Sequence, residues 1–259
     1  MKCKNCGGPL IPTPDGFFKC KLCKKIDYDA AAPKAPASAP TAPAPAAAPA
    51  PRVSSGVDVF EKNIKGILEL SCLSHRGASA GSGFLIDREG YAITNTHVVT
   101  DESLPCHTVV ATISGERIGA RIIALGDNQG GRGAGVDLAL IKLDRVPYDA
   151  SPIVIGDFDK VRIGEQVYVV GNSLGDGTCI TSGIVSDKRR QLAGHTLMMT
   201  DCAINGGNSG GPIFNSEGIA IGVIVSSRIQ RDGSATEGMN YAIPADIVLD
   251  FIRKAKGRL

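Results

Sequence analysis

The stretch Ala203–Ser227, "AINGGNSGGPIFNSEGIAIGVIVSS", decides how this chain is read. Two apolar runs, "GPIFN" and "IAIGVIVSS", stand on either side of a polar turn, and short apolar runs bounded by Gly, Asn and Ser read as β-strands. Ahead of them lies a loop in which Gly206, Gly207, Gly210 and Gly211 surround one serine, Ser209. Glycine loses the most conformational freedom on folding, so such a cluster marks backbone that bends unusually or approaches something closely. A serine is an ordinary loop residue, but it becomes a nucleophile when a base stands beside it. The loop alone does not choose between these two readings.

The same short pattern recurs upstream. "GFLI" and "YAIT" flank the turn "DREG", and "TVVATI" and "RIGARIIAL" flank "SGE". "DLALIKL", "QVYVVG", "TSGIVSD" and "TLMMTD" follow. Many short strands with Gly, Asp and Asn turns predict an all-β barrel or sandwich. Helices are predicted at both ends of this region. Val57, Phe60, Ile64 and Ile67 fall near one helical face. Pro244 opens a second helix with Ile247, Val248, Phe251 and Ile252 on its face and basic residues gathered at its end.

The chain has 259 residues and a formal net charge of +2, which gives little pull toward nucleic acid. Its longest clearly apolar run, Ile219–Val225, is far too short to span a bilayer. No apolar leader follows the first lysines, so a cytoplasmic protein is expected, with cysteines that are not assumed to pair. Composition divides the chain into a Cys-rich segment over 1–28, an Ala/Pro-rich linker over 29–52 and a long domain over 53–259. The prolines of the linker recur too often for a lasting helix, so an extended spacer is expected.

Cys3, Cys6, Cys20 and Cys23 form two C-x-x-C pairs, the donor set of one tetrahedral metal ion. A segment this small buries little core, so a structural Zn2+ would supply its folding energy. Iron held by the same four thiolates is the alternative. The surrounding lysines offset the charge of a tetrathiolate. Cys72 with His75, and Cys106 with His107, are weaker candidates for a second metal site. His195 reads as a solvated turn residue, and "DKRRQ", Asp187–Gln191, as a basic hairpin tip.

Two further residues, read together with Ser209, answer the question posed by the loop. His97 lies in "ITNTHVVT" at the end of a strand-like run, Asp137 just before "LALIKL", and Ser209 among the glycines. A neutral hydroxyl needs a base such as imidazole, and the imidazole needs a carboxylate to fix its tautomer and stabilise its cation. "TNTHVV", "DLALIK" and "GNSGGP", in this order, resemble the three signature blocks of trypsin-like serine proteases. "TDCAINGGNSGGP" and "GMNYAIP" are similar to the wording of the HtrA (Deg) branch. The resemblance covers roughly residues 60–255.

The resemblance implies two six-stranded β-barrels with a cleft between them, His97 and Asp137 from the first and Ser209 from the second. It implies a serine endopeptidase that needs no cofactor for catalysis and acts on polypeptides. The oxyanion turn would be Gly207, Asn208 and Ser209. Asn208 stands where trypsin carries the Asp that pairs with a newly cut N-terminus. Ala203, six residues before Ser209, would sit at the base of the specificity pocket and select small or medium apolar side chains. Ile224, Val225 and Ser226 of the strand "GVIVSS" would line the cleft, and the loop "RIQRDGSATEG" would gate it. Such enzymes are often trimers, and most carry a PDZ domain, which does not follow here. The competing reading is a catalytically latent, protease-fold docking module, recruited to a protein partner through its zinc ribbon.

Overall fold

The computed structural model describes residues 1–13, 17–27, 55–75, 77–101, 104–126, 136–192, 194–225 and 238–257. The predicted linker over 29–52 lies outside the described residues, as do Ser226 and most of the "RIQRDGSATEG" loop. The chain divides into two compact units, Met1–Arg52 and Val53–Leu259.

The first unit carries an antiparallel three-stranded sheet, β1 (Leu10–Pro12), β2 (Phe18–Cys20) and β3 (Ile26–Asp27). Each C-x-x-C pair is closed as a tight turn. The N–H of Gly7 donates to Cys3 O at 2.8 Å, and that of Lys24 to Cys20 O at 3.1 Å. Gly7 and Lys24 both adopt positive φ, which turns the chain back toward the sulfurs.

The second unit opens with α1 (Gly56–Asn63), started by a reciprocal cap in which Asp58 N–H donates to Ser55 Oγ and Ser55 N–H to Asp58 Oδ2. The predicted helical face is shifted. Val57 is 63% exposed and Val59 is buried at 1%, and Ile67 belongs to the next strand and does not extend the face. The strands of the first barrel are β4 (Ile67–Ser74), β5 (Gly77–Leu85) and β6 (Tyr91–Thr94). A one-turn helix follows, α2 (Thr96–Val99), and then a small pair, β7 (Thr100–Asp101) and β8 (Leu104–Pro105). β9 (Thr108–Ile113), β10 (Glu116–Leu125) and β11 (Ala139–Leu143) complete the barrel, which closes in the order β10-β11-β6-β5-β4-β9.

The second barrel contains β12 (Gln166–Asn172), β13 (Thr178–Leu192), β14 (His195–Thr200), β15 (Pro212–Asn215), β16 (Ala220–Val225) and β17 (Asn240–Pro244). It closes in the order β12-β13-β14-β17-β16-β15. The helix α3 (Ala245–Lys256) ends the unit, with Pro244 as its N-cap and Val248 buried. "DKRRQ" is not a hairpin tip but part of the long β13, whose pairing with β14 shifts register twice. His195 opens β14 and is half-buried.

Neighbouring residues along the strands serve two different cores. Leu85, Ala92 and Ile141 fill the first barrel, whereas Phe84, Ile93 and Leu140 beside them point into the seam between the barrels. Likewise Val169, Ile213 and Ala242 fill the second barrel, and Val170, Phe214 and Ile243 face the seam. Burial on both faces explains why the strands read as continuous apolar runs and not as alternating ones. Each large side chain fully buried in the seam contributes about 1.5–3 kcal/mol of transfer free energy.

Candidate active site

His97 and Asp137 meet because β6 and β11 are neighbours in the first barrel. Thr94 pairs with Ala139 at the end of this antiparallel ladder, so the chain just past β6, Asn95–His97, leaves beside the chain just before β11, Asp137–Leu138. Side chains then complete what the ladder begins. Thr96 Oγ1 donates to Leu138 O at 2.8 Å, and Asn95 Nδ2 to Asp137 O at 2.7 Å. The carboxylate takes two bonds from one residue: His97 N–H donates to Oδ1 at 3.1 Å, and His97 Nδ1 lies 2.6 Å from Oδ2. An ionised Asp137 accepts only, so Nδ1 carries the proton and Nε2 is left as the basic nitrogen. The Asp137 side chain is 17% exposed, against 39% for His97, which leaves the ring edge open to the cleft.

Ser209 comes from the loop between β14 and β15. Gly207 has φ 94°, and an added Cβ would run into the carbonyl oxygen of Asn172. Only glycine meets both demands. Gly210, φ 84°, is pressed against Ser82 O, Thr94 Oγ1 and Asn95 N. The residue after Ser209 therefore touches the strand that leads into His97, which brings both halves to one cleft. Among the described residues, no hydrogen bond joins His97 Nε2 to Ser209 Oγ, and the N–H groups of Gly207 and Ser209 have no acceptor. Catalytic hydrogen bonds are often long in a free enzyme and tighten around substrate. Asn208 is buried at 1%, and both polar atoms of its amide lack a partner among the described residues.

The cleft residues predicted on β16 separate. Ile224 is corrected: it is fully buried in the second barrel core, and its backbone is tied to the nucleophile loop, N–H to Gly211 O at 2.8 Å and O from Gly210 N–H at 2.9 Å. It anchors the loop and offers no group to a substrate. Val225 is half-buried and lines a cavity of about 380 Å³ together with Asp137, His195 and Ile243. Ala203 is exposed, its carbonyl held by Thr181 Oγ1 at 2.8 Å. The neighbouring Asp201 accepts from Ile184 N–H at 2.7 Å, a structural role.

Ser82 and Leu174 carry bonds to the nucleophile loop that sequence reasoning did not assign. Ser82 lies inside the strand "GSGFLI" and has no distinguishing residue type. Leu174 is a bulky residue with φ 59°, which only coordinates reveal.

The sulfurs of the first unit converge. Those of Cys3, Cys6, Cys20 and Cys23 all lie within 4.8 Å of one another, with Cys3–Cys23 at 3.7 Å and Cys6–Cys20 at 3.4 Å. A tetrahedron with zinc–sulfur bonds of about 2.3 Å has edges of roughly 3.8 Å, so the donor set fits. The Cys23 thiol is drawn down to about 6, first by the backbone N–H of Lys25 and then by Cys6. No other group of three or more such ligands occurs among the described residues. His75 and His107 stack edge-on with centroids 3.7 Å apart, and Cys72 and Cys106 are buried free thiols. Burial, and then the neighbouring Cys106, pushes the Cys72 thiol up to about 12.

Comparison with known proteins gives the geometry a family. The profile of the trypsin-like peptidase domain matches residues 81–223, more than half of the chain. A probable periplasmic serine endoprotease, DegP-like, from Pseudomonas putida strain F1 is 35% identical over 181 residues, covering 69% of this chain and 35% of its own. The relative of the same name from Hahella chejuensis is 34% identical over 182 residues, covering 69% of this chain and 36% of its own. This chain thus spans about a third of the length of the curated relatives it matches. Among solved structures, the HtrA-type protease AlgW with tripeptide is similar, with a TM-score of 0.67 and 25% identity over 77% of this chain and 62% of that one. The serine endoprotease from Yersinia pestis shares the fold, with a TM-score of 0.64 and 24% identity over 78% of this chain and 66% of that one. The expected cytoplasmic placement is corrected by these relatives, whose names are periplasmic and point away from the cytoplasm. An N-terminal sequence without an apolar run does not fix a compartment, and the reducing environment assumed for the cysteines loses its ground with it. With its two barrels, its facing His97 and Asp137 and the extent of the match, this chain belongs to the trypsin-like peptidase domain family, among HtrA- and DegP-like relatives.

Proposed function

We propose that the chain is a serine endopeptidase that works through His97, Asp137 and Ser209. The observation that carries this is the 2.6 Å contact between His97 Nδ1 and Asp137, which leaves Nε2 as a base in the cleft shared with Ser209. Nε2 takes the proton from Ser209 Oγ as the oxygen bonds to the scissile carbonyl carbon. The carbonyl oxygen becomes an oxyanion facing the N–H groups of Gly207 and Ser209. Collapse breaks the C–N bond, and His97 gives its proton to the leaving amine, which leaves an acyl ester on Ser209. Water then loses a proton to His97 and attacks the ester carbon, and as the C–O bond to Ser209 breaks His97 returns that proton to Oγ, releasing the acid and restoring the serine. Asp137 stays ionised and holds the ring throughout. A preorganised N–H donor in such a hole is worth about 2.7–4 kcal/mol of barrier.

Substrates would be extended, exposed segments of polypeptide. Ala203 has no charge to pair with lysine or arginine, which favours small or medium apolar side chains before the cut. The Cys3, Cys6, Cys20 and Cys23 cluster would hold structural zinc, or iron in the same geometry, and take no part in catalysis. Metal analysis of the purified chain should find one equivalent, lost on replacing Cys3 and Cys23 by Ser; a metal-free wild type would contradict the assignment.

The absent Nε2–Oγ bond is the one observation that favours the alternative, a latent docking module. Labelling with a fluorophosphonate probe separates the two. The wild type should be labelled and Ser209→Ala should not. Equal labelling of both would remove Ser209 from the nucleophile role, and no labelling of either would favour the docking module.

A further inference from the structure

The nucleophile loop belongs to the second barrel, yet the residue that holds it most heavily belongs to the first. Ser82 lies on β5 and is completely buried. β5 pairs with β6 only at Phe84–Ile93 and Leu85–Ala92, so the edge of β5 at Ser82 is left for other partners. Its backbone N–H donates to Ser209 O at 2.8 Å, and its carbonyl accepts from Thr94 Oγ1 at 2.7 Å. Its hydroxyl bridges the barrels: Oγ accepts from Asn172 N–H at 2.8 Å and donates to Gly207 O at 2.7 Å. One residue therefore touches the strand entering His97, the β12 end and both ends of the Gly207–Ser209 turn.

The bond to Gly207 O has a geometric consequence. In a planar trans peptide the C=O and N–H point in opposite directions, so fixing one fixes the other. Leu174 N–H holds Gly206 O at 2.7 Å and thereby sets the direction of Gly207 N–H. Ser82 Oγ holds the next carbonyl, Gly207 O, and so sets the peptide between the two oxyanion donors. Glycine at 207 opposes rotation of these peptides less than any other residue would. Backbone bonds also hold the turn, Asn208 N–H to Asn205 O at 3.2 Å and Ser82 N–H to Ser209 O at 2.8 Å, and the Ser82 hydroxyl adds a side-chain bond at the carbonyl between the two donors.

We propose that Ser82 is a positioning residue for the oxyanion hole, holding Gly207 O so that the N–H groups of Gly207 and Ser209 converge on one point. This rests on Ser209 being the nucleophile. Ser82 touches no reacting atom; it acts through the turn.

The test compares wild type, Ser82→Ala, Ser82→Cys and Ser209→Ala on one chromogenic peptide. It also measures affinity for a peptide boronic acid, whose tetrahedral oxygen mimics the oxyanion, and for the matching peptide amide, which does not. Ser82→Ala should lower kcat by roughly tenfold to a hundredfold, below the 10²–10³ of losing a donor outright, with KM within about twofold. Boronate affinity should fall in parallel while amide affinity holds. Ser82→Cys keeps the shape and a weak donor, so a smaller loss is expected, and it carries the test if Ser82→Ala does not fold. An unchanged kcat in the folded Ser82 variants overturns the proposal. So does an equal fall in amide and boronate affinity, which is what a merely structural role would give. If the wild type shows no turnover that Ser209→Ala abolishes, the nucleophile assignment itself fails, and the role of Ser82 falls with it.

Discussion

The two halves of the candidate active site are built by different means. The half with His97 and Asp137 is a product of one barrel. Adjacent strands set the register, and four hydrogen bonds from Asn95, Thr96 and His97 finish it. The half with Ser209 is a loop whose shape depends on partners in both barrels, Ser82 from β5, itself bonded by Asn172 at the end of β12, and Leu174 just beyond β12. A ladder is hard to disturb locally, because each hydrogen bond is backed by the next. A glycine turn held across a seam shifts whenever the seam does. The acid–base half should therefore persist under changes to the seam that abolish nucleophile function.

The largest expected effect breaks the first half without touching the seam. Asp137→Asn keeps the shape but presents an amide, so it favours the wrong tautomer of His97. By analogy with the same change in a serine protease triad, kcat should fall about 10⁴-fold. The melting temperature should shift little, as checked by steady-state kinetics beside thermal unfolding. The next effect acts on the seam. Phe84 is 1% exposed in the cluster between the barrels, and Phe84→Ala should cost about 3–5 kcal/mol of stability. Urea unfolding measures that loss. In the folded fraction, fluorophosphonate labelling should slow while the low-field proton resonance of the His97–Asp137 bond stays in place. Loss of that resonance together with labelling would mean that the halves are not independent. The Ser82 hydroxyl is the finest probe, with an effect smaller than either of these and confined to kcat.

Much of this was legible before any coordinates. The strand runs were visible because residues such as Phe84–Leu85 and Ile213–Phe214 are apolar on both faces, one for a barrel and one for the seam. β4 was hidden because Ile64 and Ile67 continued the spacing of α1, and nothing in their side chains announces a change of backbone. His97, Asp137 and Ser209 could be named as candidates because that chemistry restricts its positions to few residue types, and the structure places His97 Nδ1 2.6 Å from Asp137. Ile224 was misread because the strand next to a cleft has one face inside a barrel, and the sequence of β16 is apolar at every position but glycine. Ser82 stayed invisible because its role is a pair of bonds to backbone atoms far along the chain. Asn208, named for its contrast with trypsin, turns out to be a buried residue.

The central claim is that the seam delivers Ser209 and its two N–H donors to the basic edge of His97. A crystal structure of the fluorophosphonate adduct tests it most directly. The account predicts phosphorus on Ser209 Oγ, the phosphonyl oxygen about 2.7–3.1 Å from the N–H groups of both Gly207 and Ser209, and His97 Nε2 turned toward the adduct. An adduct whose oxygen points away from both donors, with His97 still locked on Asp137, would contradict it.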